Sequence, residues 1–113
     1  MGMHNERIVL GEDDEALRGM LAVAIQGKFH IVIATVGSFE ELSGMIKKIN
    51  YPTLGIFDNR MPAKGDGEKS AQLLQRMFPG VKIISFASER QTWGDDNIEK
   101  PNVQLLLSAI EKI

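Results

Sequence analysis

Arg7-Ile-Val-Leu-Gly11, followed at once by Glu12-Asp13-Asp14-Glu15 and then by Leu17, Met20, Leu21, Ala24 and Ile25, is the stretch on which the fold turns. The first five residues form a short apolar run that ends in glycine and acids, as a buried strand does. The apolar residues after Ala16 recur at i, i+3, i+4, i+7 and i+8, which is one face of a helix. Asp13 or Asp14 can cap that helix, and Gly27 stands near its stop.

Working outward, the same alternation repeats. His30-Ile-Val-Ile-Ala34 reads as a second strand, and Ser38-Phe-Glu-Glu41 as a capping box that opens a helix with the stripe Phe39, Leu42, Ile46 and Ile49. Tyr51-Pro52 stops that helix, and Thr53-Leu-Gly-Ile-Phe57 makes a third strand. A Pro- and Gly-containing loop over 59–65 leads to Asp66 as the expected cap of a helix carrying Ala71, Leu74, Met77 and Phe78. Pro79-Gly80 ends it, and 81–87 is a fourth strand. Asn97-Ile-Glu99 is a short fifth strand, followed by Lys100-Pro101 and a last helix through Val103, Leu106, Leu107 and Ile110. Parallel neighbours each need a crossover, so this order specifies an α/β, doubly wound parallel sheet with helices on both faces.

Composition narrows the chemistry. The 113 residues fit one domain over 1–113 with a core over about 7–113, and the 43% hydrophobic content places the chain among globular proteins rather than disordered ones. With no cysteine, disulfides, thiolate metal sites and thiol nucleophiles are excluded. The 13 basic residues are scattered against 15 acidic ones, so the sequence carries no footprint for nucleic acid. No run is long enough to span a bilayer, and Met1-Gly-Met-His-Asn-Glu6 lacks the regions of a signal peptide, so a cytoplasmic protein without membrane insertion is expected. The six methionines read as core filler.

In an open parallel sheet the functional site lies beyond the carboxyl ends of the strands. There the sequence places Glu12 and Asp13 after the first strand, Asp58 after the third, Ala87 and Ser88 after the fourth, and Lys100 after the fifth. Acids brought together repel unless a cation neutralises them. Mg2+, a hard ion that takes oxygen ligands and is typically shared with phosphate, suits such a group. His4 and His30 are isolated, so no softer metal competes. A carboxylate beside Mg2+ and a lysine can also act as a nucleophile toward phosphoryl groups. Taken alone, residues 12–15 are helix caps and charges on a macrodipole, and Lys100 is a surface lysine. Together with Asp58 they read as a site, whereas Asp66 reads as a cap and Asp14 and Glu15 as solvated.

Ile8-Val-Leu-Gly-Glu-Asp-Asp-Glu-Ala-Leu-Arg18, Phe57-Asp-Asn-Arg-Met-Pro62 with Asp66-Gly67, and Glu99-Lys-Pro101 resemble the receiver (phosphoacceptor) domain of two-component response regulators, over nearly the whole chain. The resemblance implies a five-stranded sheet in the order 2-1-3-4-5 and a signalling domain rather than an enzyme, capable at most of its own phosphorylation and dephosphorylation. It implies Asp58 as the phosphoacceptor, supplied by a histidine kinase or histidine phosphotransfer protein, and a downstream protein partner. It further implies Mg2+ held by Glu12, Asp13, Asp58 and the Arg60 carbonyl, Lys100 paired with the phosphoryl group, and a cis Lys100-Pro101 peptide.

Four features depart from that family. Ala87 stands where members carry a Thr or Ser, with Ser85 and Ser88 nearby, and Asn97 stands where many place a Tyr or Phe. Residues 89–95 offer only seven residues for a crossover that normally takes about a dozen or more, so the fourth helix is expected to be absent or reduced to one turn. The loop between Asp58 and Asp66 is also one residue longer than usual, with Gly65 the extra one. Trp93 reads equally as a partner anchor or as a plug for the missing helix. The leading expectation is a stand-alone receiver, phosphorylated on Asp58 in an Mg2+-dependent relay, whose output surface lies away from the family's ordinary face or which shuttles or absorbs phosphoryl groups. The alternative is a pseudo-receiver that binds proteins independently of phosphorylation. A phosphatase or phosphotransferase with an aspartyl nucleophile is a distant third, because Arg60 occupies the position where such enzymes often carry a second acid.

Overall fold

In the computed structural model, which describes residues 5–113, five strands and four helices alternate along the chain, except that the fifth strand follows the fourth directly. The strands are β1 (Arg7–Gly11), β2 (Ile31–Val36), β3 (Leu54–Phe57), β4 (Lys82–Ala87) and β5 (Asp96–Glu99). The helices are α1 (Glu15–Gln26), α2 (Phe39–Met45) continued by a 3-10 turn (Ile46–Lys48), α3 (Asp66–Met77) and α4 (Val103–Glu111). The sheet is parallel throughout, in the order β2-β1-β3-β4-β5. Met1, Met3 and His4, and with them most of the segment read for a leader, lie outside the described residues.

Strand alternation divides the core into two layers. Ile8, Leu10, Leu54, Ile56, Ile84, Phe86 and Ile98 pack against α1 and α4 through Leu21, Ile25, Leu106 and Ile110. Val9, Val36, Phe57 and Ile83 pack on the other face against α2 and α3 through Leu42, Ala71 and Leu74. Successive side chains on a strand point to opposite faces, so near-continuous apolar strands are what a sheet covered on both sides requires.

Several local expectations are corrected. Asp14, not Asp13, caps α1, accepting from the Leu17 N–H at 3.0 Å. Ser38 caps α2 by accepting from the Glu41 N–H, but the Glu41 carboxylate reaches back to the N–H of Gly37 rather than to that of Ser38. Asp66 is the first residue of α3 and Gly65, in the left-handed region at φ 92°, is its cap. The Asp66 carboxylate instead accepts from the Ala63 N–H and closes the preceding turn. Of the methionines, Met61 is buried, but Met20 and Met77 are 51% and 43% exposed, so core filling describes only part of the set.

No helix lies between β4 and β5, since residues 88–95 are irregular. The chain instead runs along β4: the Asp95 N–H donates to the Ile83 carbonyl, and the Asp95 carboxylate accepts the Ile83 N–H at 2.8 Å. Asn97 fixes this shortcut. Its Oδ1 accepts from the hydroxyl of buried Ser85 at 2.7 Å and from the Gly94 N–H, while its Nδ2 donates to the Gly94 carbonyl. Trp93 packs against the layer formed with α2 and α3, so it acts as the plug for the absent helix. Asn97→Ala leaves the buried Ser85 hydroxyl without its acceptor and is expected to cost about 2 kcal/mol in urea unfolding. Asn97→Phe is expected to restore none of it.

Candidate functional site

β1 and β3 end in register, Gly11 opposite Phe57, and the Asp58 N–H donates to the Gly11 carbonyl at 3.1 Å. Glu12 and Asp58 therefore leave the sheet side by side. At the far edge Ala87 pairs with Glu99, and the Lys100 N–H donates to the Ala87 carbonyl, which brings the lysine to the same end of the sheet.

The Lys100 ammonium lies between the two acids, 2.7 Å from Glu12 Oε1 and 2.9 Å from Asp58 Oδ2. Glu12 Oε2 accepts from the Asp14 N–H, and the Arg60 N–H approaches Asp58 Oδ1 at 3.4 Å. Asp13 is exposed beside this pair, and Glu12, Asp13 and Asp58 each offer an oxygen within 4.8 Å of the others. Because Asp14 serves as the helix cap, the Asp13 carboxylate is not committed to capping α1. Burial pushes the Glu12 carboxyl above its ordinary value, with the Asp58 charge adding to it and hydrogen bonds from Lys100 and Asp14 opposing it. Burial works against the Lys100 ammonium, but its hydrogen bonds to Glu12 and Asp58 and their charges outweigh that and hold its pKa above the usual lysine value.

All four expected side chains thus meet at one end of the sheet, and Arg60 lies on the loop just after Asp58. The Lys100-Pro101 peptide is cis, as is Met61-Pro62, which was not foreseen. A cleft of about 70 Å³ opens beside Asp58, between Asn59 and Arg60 on one side and Ala87, Ser88 and Gln91 on the other. Ser88 lies just past the end of β4 and lines the same cleft as Ala87.

Three contributors had no role assigned to them from sequence. Arg18 donates from Nη1 to the Glu12 carbonyl at 2.8 Å, which ties α1 to the turn carrying the acids. Gln91 lines the cleft from the shortened segment. Gly67 lets the start of α3 approach the loop that follows β3, because a Cβ there would stand 1.8 Å from the Asp58 carbonyl oxygen. That oxygen belongs to backbone, which cannot swing aside as a side-chain tip can. Gly67→Ala is expected to cost about 3 kcal/mol, the upper part of the overpacking range, measured by urea unfolding.

The three carboxylates and the ammonium form a site built from hard oxygen donors and one fixed positive charge, a donor set that fits Mg2+.

No protein-family model and no curated protein matches the sequence. Solved structures do match the fold. The receiver domain of the PhyR response regulator of Erythrobacter litoralis is similar with a TM-score of 0.84 and 14% identity, over 97% of this chain and 90% of that one. The response regulator TrrA of Thermotoga maritima, solved in complex with Mg2+ and a beryllium fluoride, gives a TM-score of 0.79 and 22% identity, over 95% of this chain and 97% of its own. The receiver domain of Francisella response regulator 1452 gives 0.74 and 19%, over 94% and 93% of the two chains. The fold of this chain is that of a response regulator receiver domain.

Proposed function

We propose that this chain is a phosphoacceptor of two-component signalling, taking a phosphoryl group on Asp58 from a histidine kinase or histidine phosphotransfer protein in the cytoplasm and signalling through a protein partner. The observation that carries this reading is the shared Lys100 ammonium between Glu12 and Asp58, at the end of the sheet where β1 and β3 finish together.

A carboxylate oxygen of Asp58 attacks the phosphorus of phosphohistidine. The P–N bond breaks, an acyl phosphate P–O bond forms, and the electron pair of the broken bond stays on the ring nitrogen, so that an imidazole protonated on its other nitrogen leaves neutral. Lys100 holds a positive charge beside the attacking carboxylate and can follow it onto the transferred oxygens. Glu12, Asp13, Asp58 and the Arg60 carbonyl would hold Mg2+, which when bound offsets the charge of the carboxylates and the phosphoryl oxygens. In this reading the chain is not a turnover enzyme, and its chemistry ends with gain and loss of its own phosphoryl group.

Ala87 and the Ser85–Asn97 lock favour a second reading, a protein-binding module indifferent to phosphorylation. Incubation with Mg2+ and acetyl phosphate, followed by intact-protein mass spectrometry, separates the two. A single added phosphoryl group, labile to hydroxylamine as an acyl phosphate is, supports the first reading, and an unmodified mass supports the second.

A further inference from the structure

Ala87 has no hydroxyl to offer the cleft beside Asp58, yet the cleft is not without a placed donor. Gln91 lines it from the segment that replaces the missing helix. Its carboxamide is held at both ends: Oε1 accepts from the Trp93 indole N–H at 3.1 Å, and Nε2 donates to the Glu89 carbonyl at 2.6 Å. An indole can only donate and a carbonyl can only accept, so the two contacts fix which end of the amide is which. One N–H of Nε2 is then uncommitted, on a residue that lines the cleft. Trp93 is itself partly buried and packed against the layer formed with α2 and α3, so the amide is anchored through an indole that rests on the core.

We propose that Gln91 is a phosphoryl-binding residue, donating from Nε2 to an oxygen of the group carried on Asp58, with Trp93 as its positioning residue. This rests on Asp58 being the phosphoacceptor. The loop between β4 and β5 thereby supplies a hydrogen bond that Ala87, at the end of β4, cannot make. Ser88 also reaches the cleft, but it is exposed, whereas Gln91 is partly buried and oriented. A pinned donor loses less freedom on binding than one that must be ordered.

The test is calorimetric titration of fluoroberyllate into the full chain in the presence of Mg2+, with Mg2+ alone titrated in parallel. Gln91→Ala is expected to weaken fluoroberyllate roughly tenfold, as loss of a hydrogen bond to a charged group does, with Mg2+ affinity unchanged. Gln91→Glu keeps the acceptor for Trp93 but sets a negative charge against the ligand, and is expected to weaken it further. Trp93→Phe keeps the packing and removes the indole N–H, and is expected to fall between wild type and Gln91→Ala. Wild-type binding with Gln91→Ala and Gln91→Glu unchanged overturns the role of Gln91 while leaving Asp58 as the acceptor. So does a loss confined to Ser88→Ala. Failure of the wild type to bind fluoroberyllate overturns the reading of Asp58 and this inference together.

Discussion

Asp58→Asn is expected to abolish covalent phosphoryl uptake from acetyl phosphate, with no modified mass detectable under conditions that label the wild type. The amide oxygen still accepts from Lys100, so the lysine keeps two partners and the variant should fold as the wild type does. The substitution also removes one of two neighbouring negative charges. Part of the upward push on Glu12 comes from the Asp58 charge, so the Glu12 carboxyl should titrate closer to its ordinary value in the variant. NMR titration of the Glu12 side-chain carboxyl carbon checks this. An Asp58→Asn protein that still takes up an acyl phosphate would place the acceptor elsewhere.

Lys100→Met has the largest expected effect on stability. It leaves the nearly fully buried Glu12 and the buried Asp58 facing each other without the ammonium. Breaking a buried ion pair from one side costs about 3–5 kcal/mol. The pH dependence has a definite sign. Lys100 has a folded pKa above its unfolded value of 10.5, so its contribution is complete below 10.5 and is lost as pH rises through the folded value. Wild-type stability should therefore fall in strong alkali by a component that Lys100→Met lacks. Glu12 has a folded pKa above 4.5, so the native state binds that proton more tightly and loses stability as pH rises from 4.5 through the folded value. Without Lys100 to oppose it, that loss should deepen. The deficit of the variant should be greatest in neutral buffer and shrink in mild acid as Glu12 protonates, which urea unfolding in the two buffers measures. A deficit independent of pH would mean that Lys100 stabilises by packing alone.

The sheet and most of the site could be read from the chain because they depend on patterns local to single elements. Apolar runs such as Ile8-Val-Leu10 and Leu54-Gly-Ile-Phe57 declare strands buried on both faces, and parallel order then places every strand's carboxyl end on one edge. Glu12, Asp58 and Lys100 follow from that placement alone. The absence of a helix between β4 and β5 was legible as a shortage of residues, which is also a local property.

What fills the shortage was not legible, because it depends on register between elements. Asn97 reads in sequence as a missing aromatic; only the pairing of Ser85 with Asn97 shows it to be the acceptor for a buried hydroxyl. Asp95 takes a strand-like place against Ile83 through a side chain, which no periodicity predicts. Gln91 and Trp93 lie two residues apart in a stretch without apolar rhythm, and their link appears only once the loop is folded back over the sheet. The capping residues were misplaced by one position at α3, where Asp66 turns its carboxylate back to Ala63 instead of onto its own helix.

In the proposed mechanism Glu12, Asp13, Asp58 and Lys100 form a working phosphoacceptor, and Gln91 on the loop after β4 supplies the contact that Ala87 cannot. Amide NMR of the 15N-labelled chain, titrated with fluoroberyllate in Mg2+, tests it most directly. The predicted result is saturable, Mg2+-dependent shifts at Glu12, Asp13, residues 58–60, residues 87–91, Lys100 and the Trp93 indole N–H, all lost in Asp58→Asn. Spectra unchanged by fluoroberyllate, or shifts that persist in Asp58→Asn, would contradict it.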